Sequence, residues 1–146
     1  MPGWMIFLIV CSVVAFDVIL VRVVFHAVAH AWNAMLRDYP AVEPAPNAVR
    51  RNFQSFKMGF YNFGFSVHVA VDDRFLHLFP AWIIRWAGCK PGSVPWEKVT
   101  PLGPRLFQGY AVRIGRQTLT GPRWALGLAS PSNNDAACGR VDTRSS

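Results

Sequence analysis

The chain has 146 residues, 52% of them hydrophobic, and a formal net charge of +7. A mean hydropathy of +0.22 is high for a soluble protein of this size. Setting aside about 36 residues for an anchor leaves about 110, enough for one small domain and no more.

Residues 4–36 form one long apolar segment. Up to residue 25 its only charged side chains are Asp17 and Arg22, so the run reaches the roughly 20 residues that a helix needs to cross a bilayer. It reads as a membrane anchor. Past that point Arg22, His26, His30, Asn33 and Arg37 recur at steps of three and four residues, which lines them along one helical face. This second half is expected to emerge and lie at the headgroup level. The rival reading is a cleaved signal peptide, because Ala27-Val28-Ala29 resembles a small-residue cleavage site. The missing basic n-region, the length of the apolar stretch and Asp17 within it count against cleavage.

Asp17 lies about one turn from the exit, within reach of headgroup water, or else it contacts a partner helix. Its five-residue separation from Arg22 is poor for a helical ion pair. His26 and His30 have the spacing at which two imidazoles share a metal, but no acid or cysteine stands at a matching position. We expect no metal there, and group the two histidines with Asp17 as candidate partner-helix contacts.

Arg22, Arg37, Arg50 and Arg51 follow the span and no charged side chain precedes it. Lys and Arg near a span favour the cytoplasmic side. The expected topology is single-pass in the cell inner membrane, with the N-terminus outside and the C-terminal domain in the cytoplasm. Arg50, Arg51, Lys57, Arg85 and Lys90 of the domain, with Arg22 and Arg37, would then face an anionic inner leaflet. Nucleic acid is a less natural partner for a tethered domain.

The helix should end near Tyr39-Pro40, giving a transmembrane and interfacial helix over residues 1–39. Residues 40–49, with Pro44 and Pro46, read as an extended linker that spaces the domain from the bilayer. A small β domain over 50–129 follows. Its aromatic run 52–64 could stack bases, but core is favoured in so small a domain. Phe63, Phe65, Val67, Val69 and Val71 alternate with small or polar residues, marking a half-buried strand. Asp72-Asp73 turns the chain into a returning strand over 74–79. Further strands are expected at 82–86, 93–99, 106–114 and 124–128, with turn signals at Gly88, Lys90-Pro91-Gly92, Gly115 and Gly121-Pro122. Trp96 is expected in the core. Residues 130–146 are too polar to offset the entropy of ordering and are expected to form a disordered tail.

Chemistry is sparse. Cys11, Cys89 and Cys138 are widely spaced and fit reduced thiols. No G-x-S-x-G, P-loop or dinucleotide fingerprint is present. His68 and His77 are too isolated for a catalytic pair, so neither catalysis nor a cofactor is expected.

Ser93-Val94-Pro95-Trp96-Glu97-Lys98-Val99 resembles the hydrophobic-Pro-Trp strand of bacterial membrane-anchored proteins of the pleckstrin-homology-like class. Phe75-Leu76-His77-Leu78 and Trp82-Ile83-Ile84-Arg85 resemble the same class. The resemblance implies a partly open antiparallel barrel of about seven strands that binds lipid headgroups or protein partners without catalysis. That class closes its barrel with a C-terminal helix, for which Pro122 and the polar tail leave little chain. The resulting expectation is a non-catalytic lipid- or protein-binding module on a single-pass anchor. The alternatives are a small accessory subunit of a larger membrane complex and a membrane-associated enzyme.

Overall fold

The computed structural model describes residues 2–107 and 109–129. The expected tail over 130–146 lies outside the described residues.

Helix α1 (Gly3–Leu36) runs unbroken for 34 residues, because no proline interrupts the chain between Pro2 and Pro40. At about 1.5 Å per residue it is a rod roughly 50 Å long. Residues 2–24 are all exposed, and the best window has a mean hydropathy of 2.7. The helix is long and apolar enough to cross a membrane. Its last third behaves differently. Ala29, Trp32, Met35 and Leu36 share one face and are buried in the core of the β domain. The apolar stripe of this half is thus covered by protein, while His26, His30 and Arg37 on its other face stay exposed.

Seven antiparallel strands follow. They are β1 (Val49–Met58), β2 (Tyr61–Val71), β3 (Phe75–Pro80), β4 (Gly92–Pro95), β5 (Val99–Arg105), β6 (Gly109–Ile114) and β7 (Gln117–Pro122). Their order is β4-β3-β2-β1-β7-β6-β5, and the sheet curls into a half-barrel. The seam is narrow, since β1 meets β7 only at Lys57 and Met58. Gly59 and Gly115, at φ +56° and +57°, make the tight turns β1–β2 and β6–β7, where a left-handed residue is needed.

Several expected strands take another form. Residues 82–86 are a short helix, α2 (Trp82–Trp86). Its cap Ala81 and its residue Ile84 are buried and three apart, a helical rather than an alternating period. The 93–99 strand breaks at Pro95 into β4, a 3-10 turn (Trp96–Lys98) and β5. Trp96 is therefore half-buried at the core's edge, its indole N–H donating to the Asp72 carbonyl at 2.8 Å. Residues 124–128 are helical too: α3 (Arg123–Leu126) starts directly after Pro122, whose missing N–H costs nothing at a helix start. The 117–122 strand, read only as turn signals, pairs fully with β6. Phe65 leaves the inner face, because the β1–β2 register shifts between Arg51 and Gln54 and between Gln54 and Phe56.

The core fills the concave side of the sheet, with Phe63, Val67, Leu76, Leu78 and Val94 meeting Trp32 and Leu36 of α1. Leu126 and Ala125 of α3 cap its other end, where Phe56 packs onto Gly121. The segment after α1 is no free spacer. Pro40 bridges to Gly92, the Ser93 N–H donates to the Tyr39 carbonyl at 3.3 Å, and the Ala45 N–H donates to Asp72 Oδ2 at 3.2 Å.

Candidate functional site

The joint between α1 and the sheet is built from main-chain groups. Trp32 Nε1–H donates to the Lys90 carbonyl at 2.8 Å, the Asn33 amide donates to the Gly88 carbonyl at 2.9 Å, and Asn33 Oδ1 accepts the Lys90 N–H at 2.9 Å. A side chain on Gly92 would stand 2.9 Å from the Tyr39 carbonyl oxygen and 3.0 Å from Leu36. Glycine there lets the end of α1 approach β4.

This joint gathers the polar stripe of α1. His26, His30, Arg37 and Lys90 line one groove of about 600 Å³ beside the Gly88–Pro91 turn. Among the described residues no carboxylate lines it. A second space of about 530 Å³ shares His26 and Ala87 and adds Asp17, Arg22 and Trp86. Arg22, His26, His30, Arg37 and Lys90 thus fall along one side of α1, while Asp17 reaches only the second space, from another part of the helix surface. Arg85 lies exposed on α2. Arg50, Arg51 and Lys57 sit on β1, where Arg51 and Lys57 line a separate groove. The basic residues grouped from the sequence thus line separate grooves, Arg22, Arg37 and Lys90 beside α1 and Arg51 and Lys57 along β1. Among the described residues no three histidine, cysteine or acidic side chains gather as a metal site. Cys11 and Cys89 are free, and burial pushes the Cys89 thiol up to about 11.

His77 is not isolated. Its Nε2 meets Asp72 Oδ2 at 2.9 Å and its Nδ1 meets Ser93 Oγ at 2.8 Å, the order of groups found in hydrolase triads. Accessibility decides its role. His77 is 0% and Ser93 2% exposed, and Ser93 Oγ already accepts the Val42 N–H at 2.9 Å. With the imidazole proton on Nε2, the serine hydroxyl donates to Nδ1; with both nitrogens protonated, it can turn to the Val42 carbonyl at 3.3 Å. Every partner is satisfied in either state, as a stitch holding residues 42–45 to β3 and β4 requires. Burial raises the Asp72 carboxyl, but hydrogen bonds from His77 and from the N–H groups of Arg74, Phe75 and Ala45 outweigh it and hold the group well below the usual carboxylate range.

A different kind of site lies between β1 and the corner where β7 meets α3. Phe53, Phe65 and Phe107 have φ of 53°, 47° and 59° and are the only non-glycine residues at positive φ among the described residues. Left-handed backbone costs an L-residue roughly 1–2 kcal/mol. All three rings are exposed, Phe107 at 99%, and all three line one open groove of about 820 Å³ with Arg51, Lys57 and Arg123. Trp124 forms its edge, with the Arg51 guanidinium 4.8 Å over its ring and its indole N–H donating to Gln54 at 3.0 Å. Burial of the ring does not offset this strain at Phe65 or Phe107, whereas the Phe53 ring packs edge-on against His68 with centroids 4.8 Å apart. The aromatic run is thus divided: Phe56 and Phe63 are core, whereas Phe53 and Phe60 are not.

No family model, curated protein or solved structure matches the chain.

Proposed function

We propose that this chain is a single-pass membrane protein whose β domain is a non-catalytic binding module at the cytoplasmic face of the inner membrane, taking anionic lipid headgroups at the base of α1. The observation that carries this reading is the gathering of Arg22, His26, His30, Arg37 and Lys90 where the apolar helix meets the domain. The exposed part of α1 before Phe25 is roughly 33 Å long, close to the ~30 Å hydrocarbon thickness of a bilayer. Those groups then fall at headgroup depth, where each cation contributes on the order of 1 kcal/mol toward an anionic surface. Ala29, the last residue of the candidate cleavage site, is buried against the domain within an unbroken helix. A peptidase needs that stretch extended, which supports retention of the anchor.

The pleckstrin-homology-like reading is supported by seven antiparallel strands and by a helix packed on the open side of the sheet. In this chain the closing helix is α1, entering from the N-terminal side. The test is to reconstitute the full chain in nanodiscs of mixed anionic and zwitterionic lipid and count, by native mass spectrometry, the lipids retained on release. Anionic lipid should be enriched, and an Arg37→Ala/Lys90→Ala variant should lose the enrichment. Equal retention of both lipids by the unmodified chain contradicts the reading.

The second reading, an accessory subunit of a larger complex, is favoured by the exposed rings of Phe53, Phe65 and Phe107. A protein that co-purifies in mild detergent and is lost on Phe65→Ser would support it.

A further inference from the structure

We infer that α2 and the tip of the β1–β2 hairpin form an aromatic collar embedded in the interfacial layer of the bilayer around α1, so that the domain is part-immersed rather than suspended above the membrane. This rests on the reading of α1 as the span. Helix α2 buries only Ile84 and leaves Trp82 77%, Ile83 46% and Trp86 79% exposed. Phe60, at the hairpin tip, is fully exposed. Scattered apolar residues on a surface need no explanation, but these are concentrated at one place.

That place is the foot of the span. Trp86 shares its groove with Asp17, Val21 and Arg22 of α1. Phe60 and Ile83 share another, of about 410 Å³, with Val24, Phe25 and Val28. The collar's apolar surface is therefore continuous with the exposed apolar surface of α1. Depth is not adjustable either, since Trp32 and Asn33 fix α1 to the Gly88–Lys90 turn directly after α2. A bilayer that covers α1 as far as Val24 must also reach Trp86 and Phe60. Tryptophan and phenylalanine favour this layer, where an amphipathic ring meets headgroups and upper acyl chains. Arg85, exposed between the two tryptophans, is placed to reach phosphate from the same helix. The groove beside Trp86 also gives Asp17 a polar route past Arg22 and His26, easing the cost of a carboxylate near the hydrocarbon.

The experiment uses the full chain in nanodiscs, with Cys11 and Cys138 replaced by Ser and Cys89 by Ala. An environment-sensitive fluorophore is placed in turn at Val13→Cys, Phe60→Cys, Trp86→Cys and Asp73→Cys, the last exposed on the β2–β3 turn at the opposite end of β2 from Phe60. Nitroxide-labelled lipids then quench by depth. The inference predicts that Val13 loses most of its emission to a deep nitroxide, that Phe60 and Trp86 lose most of theirs to a headgroup or shallow-chain nitroxide, and that Asp73 is unaffected. Quenching at Val13 with Phe60 and Trp86 as unaffected as Asp73 overturns the collar while leaving the span intact. No quenching at Val13 overturns the span and the collar with it. A blue-shifted but unquenched label at Phe60 and Trp86 also overturns it, because the surface would then be covered by protein, a second copy included, rather than lipid.

Discussion

The rings of Trp32 and Phe63 meet with centroids 5.1 Å apart and planes inclined at 57°, so a residue of α1 packs against a strand of the sheet inside one core. Trp32 is wholly buried and also donates to the Lys90 carbonyl. Trp32→Ala should cost about 3–5 kcal/mol, as large aromatic truncations in cores do. Against a stability of roughly 5–15 kcal/mol that loss is severe. Trp32→Phe, which keeps most of the volume and loses the hydrogen bond, should cost nearer 1 kcal/mol. Denaturant melts of the full chain in detergent measure both, and equal, small effects would remove α1 from the core.

Asp72 supplies a pH dependence whose sign is fixed. A carboxyl held low in the folded state stabilises fully above its unfolded value of about 3.9, and that contribution is lost as pH falls toward the folded value. The melting temperature of Asp72→Asn should lie below that of the unmodified chain at pH 7, and the gap should narrow as pH drops below about 4. A gap that stays constant from pH 7 to pH 3 would contradict the hydrogen-bonded account of Asp72.

The Asp72–His77–Ser93 network has triad order without triad access. A fluorophosphonate applied to the folded chain should leave Ser93 unmodified, while Ser93→Ala, which strands the Val42 N–H, should lower stability by about 1–3 kcal/mol. Stoichiometric labelling of Ser93, read by peptide mass spectrometry, would instead point to an enzyme.

Phe107 pays for its exposed ring with left-handed backbone. Phe107→Asn, a residue that tolerates this region, should leave the melting temperature unchanged or raise it, by up to about 1 kcal/mol of relieved strain. A marked fall would show that the ring packs, and would remove the argument that the Phe53, Phe65 and Phe107 groove is a contact surface.

What the sequence disclosed follows from period and punctuation. The apolar run gave α1, and the alternation from Val67 to Val71, with the Asp72 turn and β3, is where it was expected. Trp82 to Trp86 misled because four apolar or aromatic residues around Arg85 suit a strand as well as one helical turn and a half, and the deciding feature was which of them met the core. Phe65 was lost to a register shift that no local pattern announces. The Asp72, His77 and Ser93 side chains come from a turn and two strands, and only strand pairing brings His77 opposite Ser93. Trp32 was the hardest to place: within a run of residues fit for lipid, nothing local distinguishes a stripe facing hydrocarbon from one facing a sheet.

The central claim is that α1 passes without a joint from the membrane into the core. Hydrogen exchange of the full chain in nanodiscs, followed through increasing denaturant, tests it most directly. The amides of Ala29 to Leu36 should lose protection together with those of β2 and β3, as one cooperative unit. Exchange in Ala29 to Leu36 at denaturant concentrations that leave β2 and β3 protected would contradict it, and would return this part of the helix to the membrane surface.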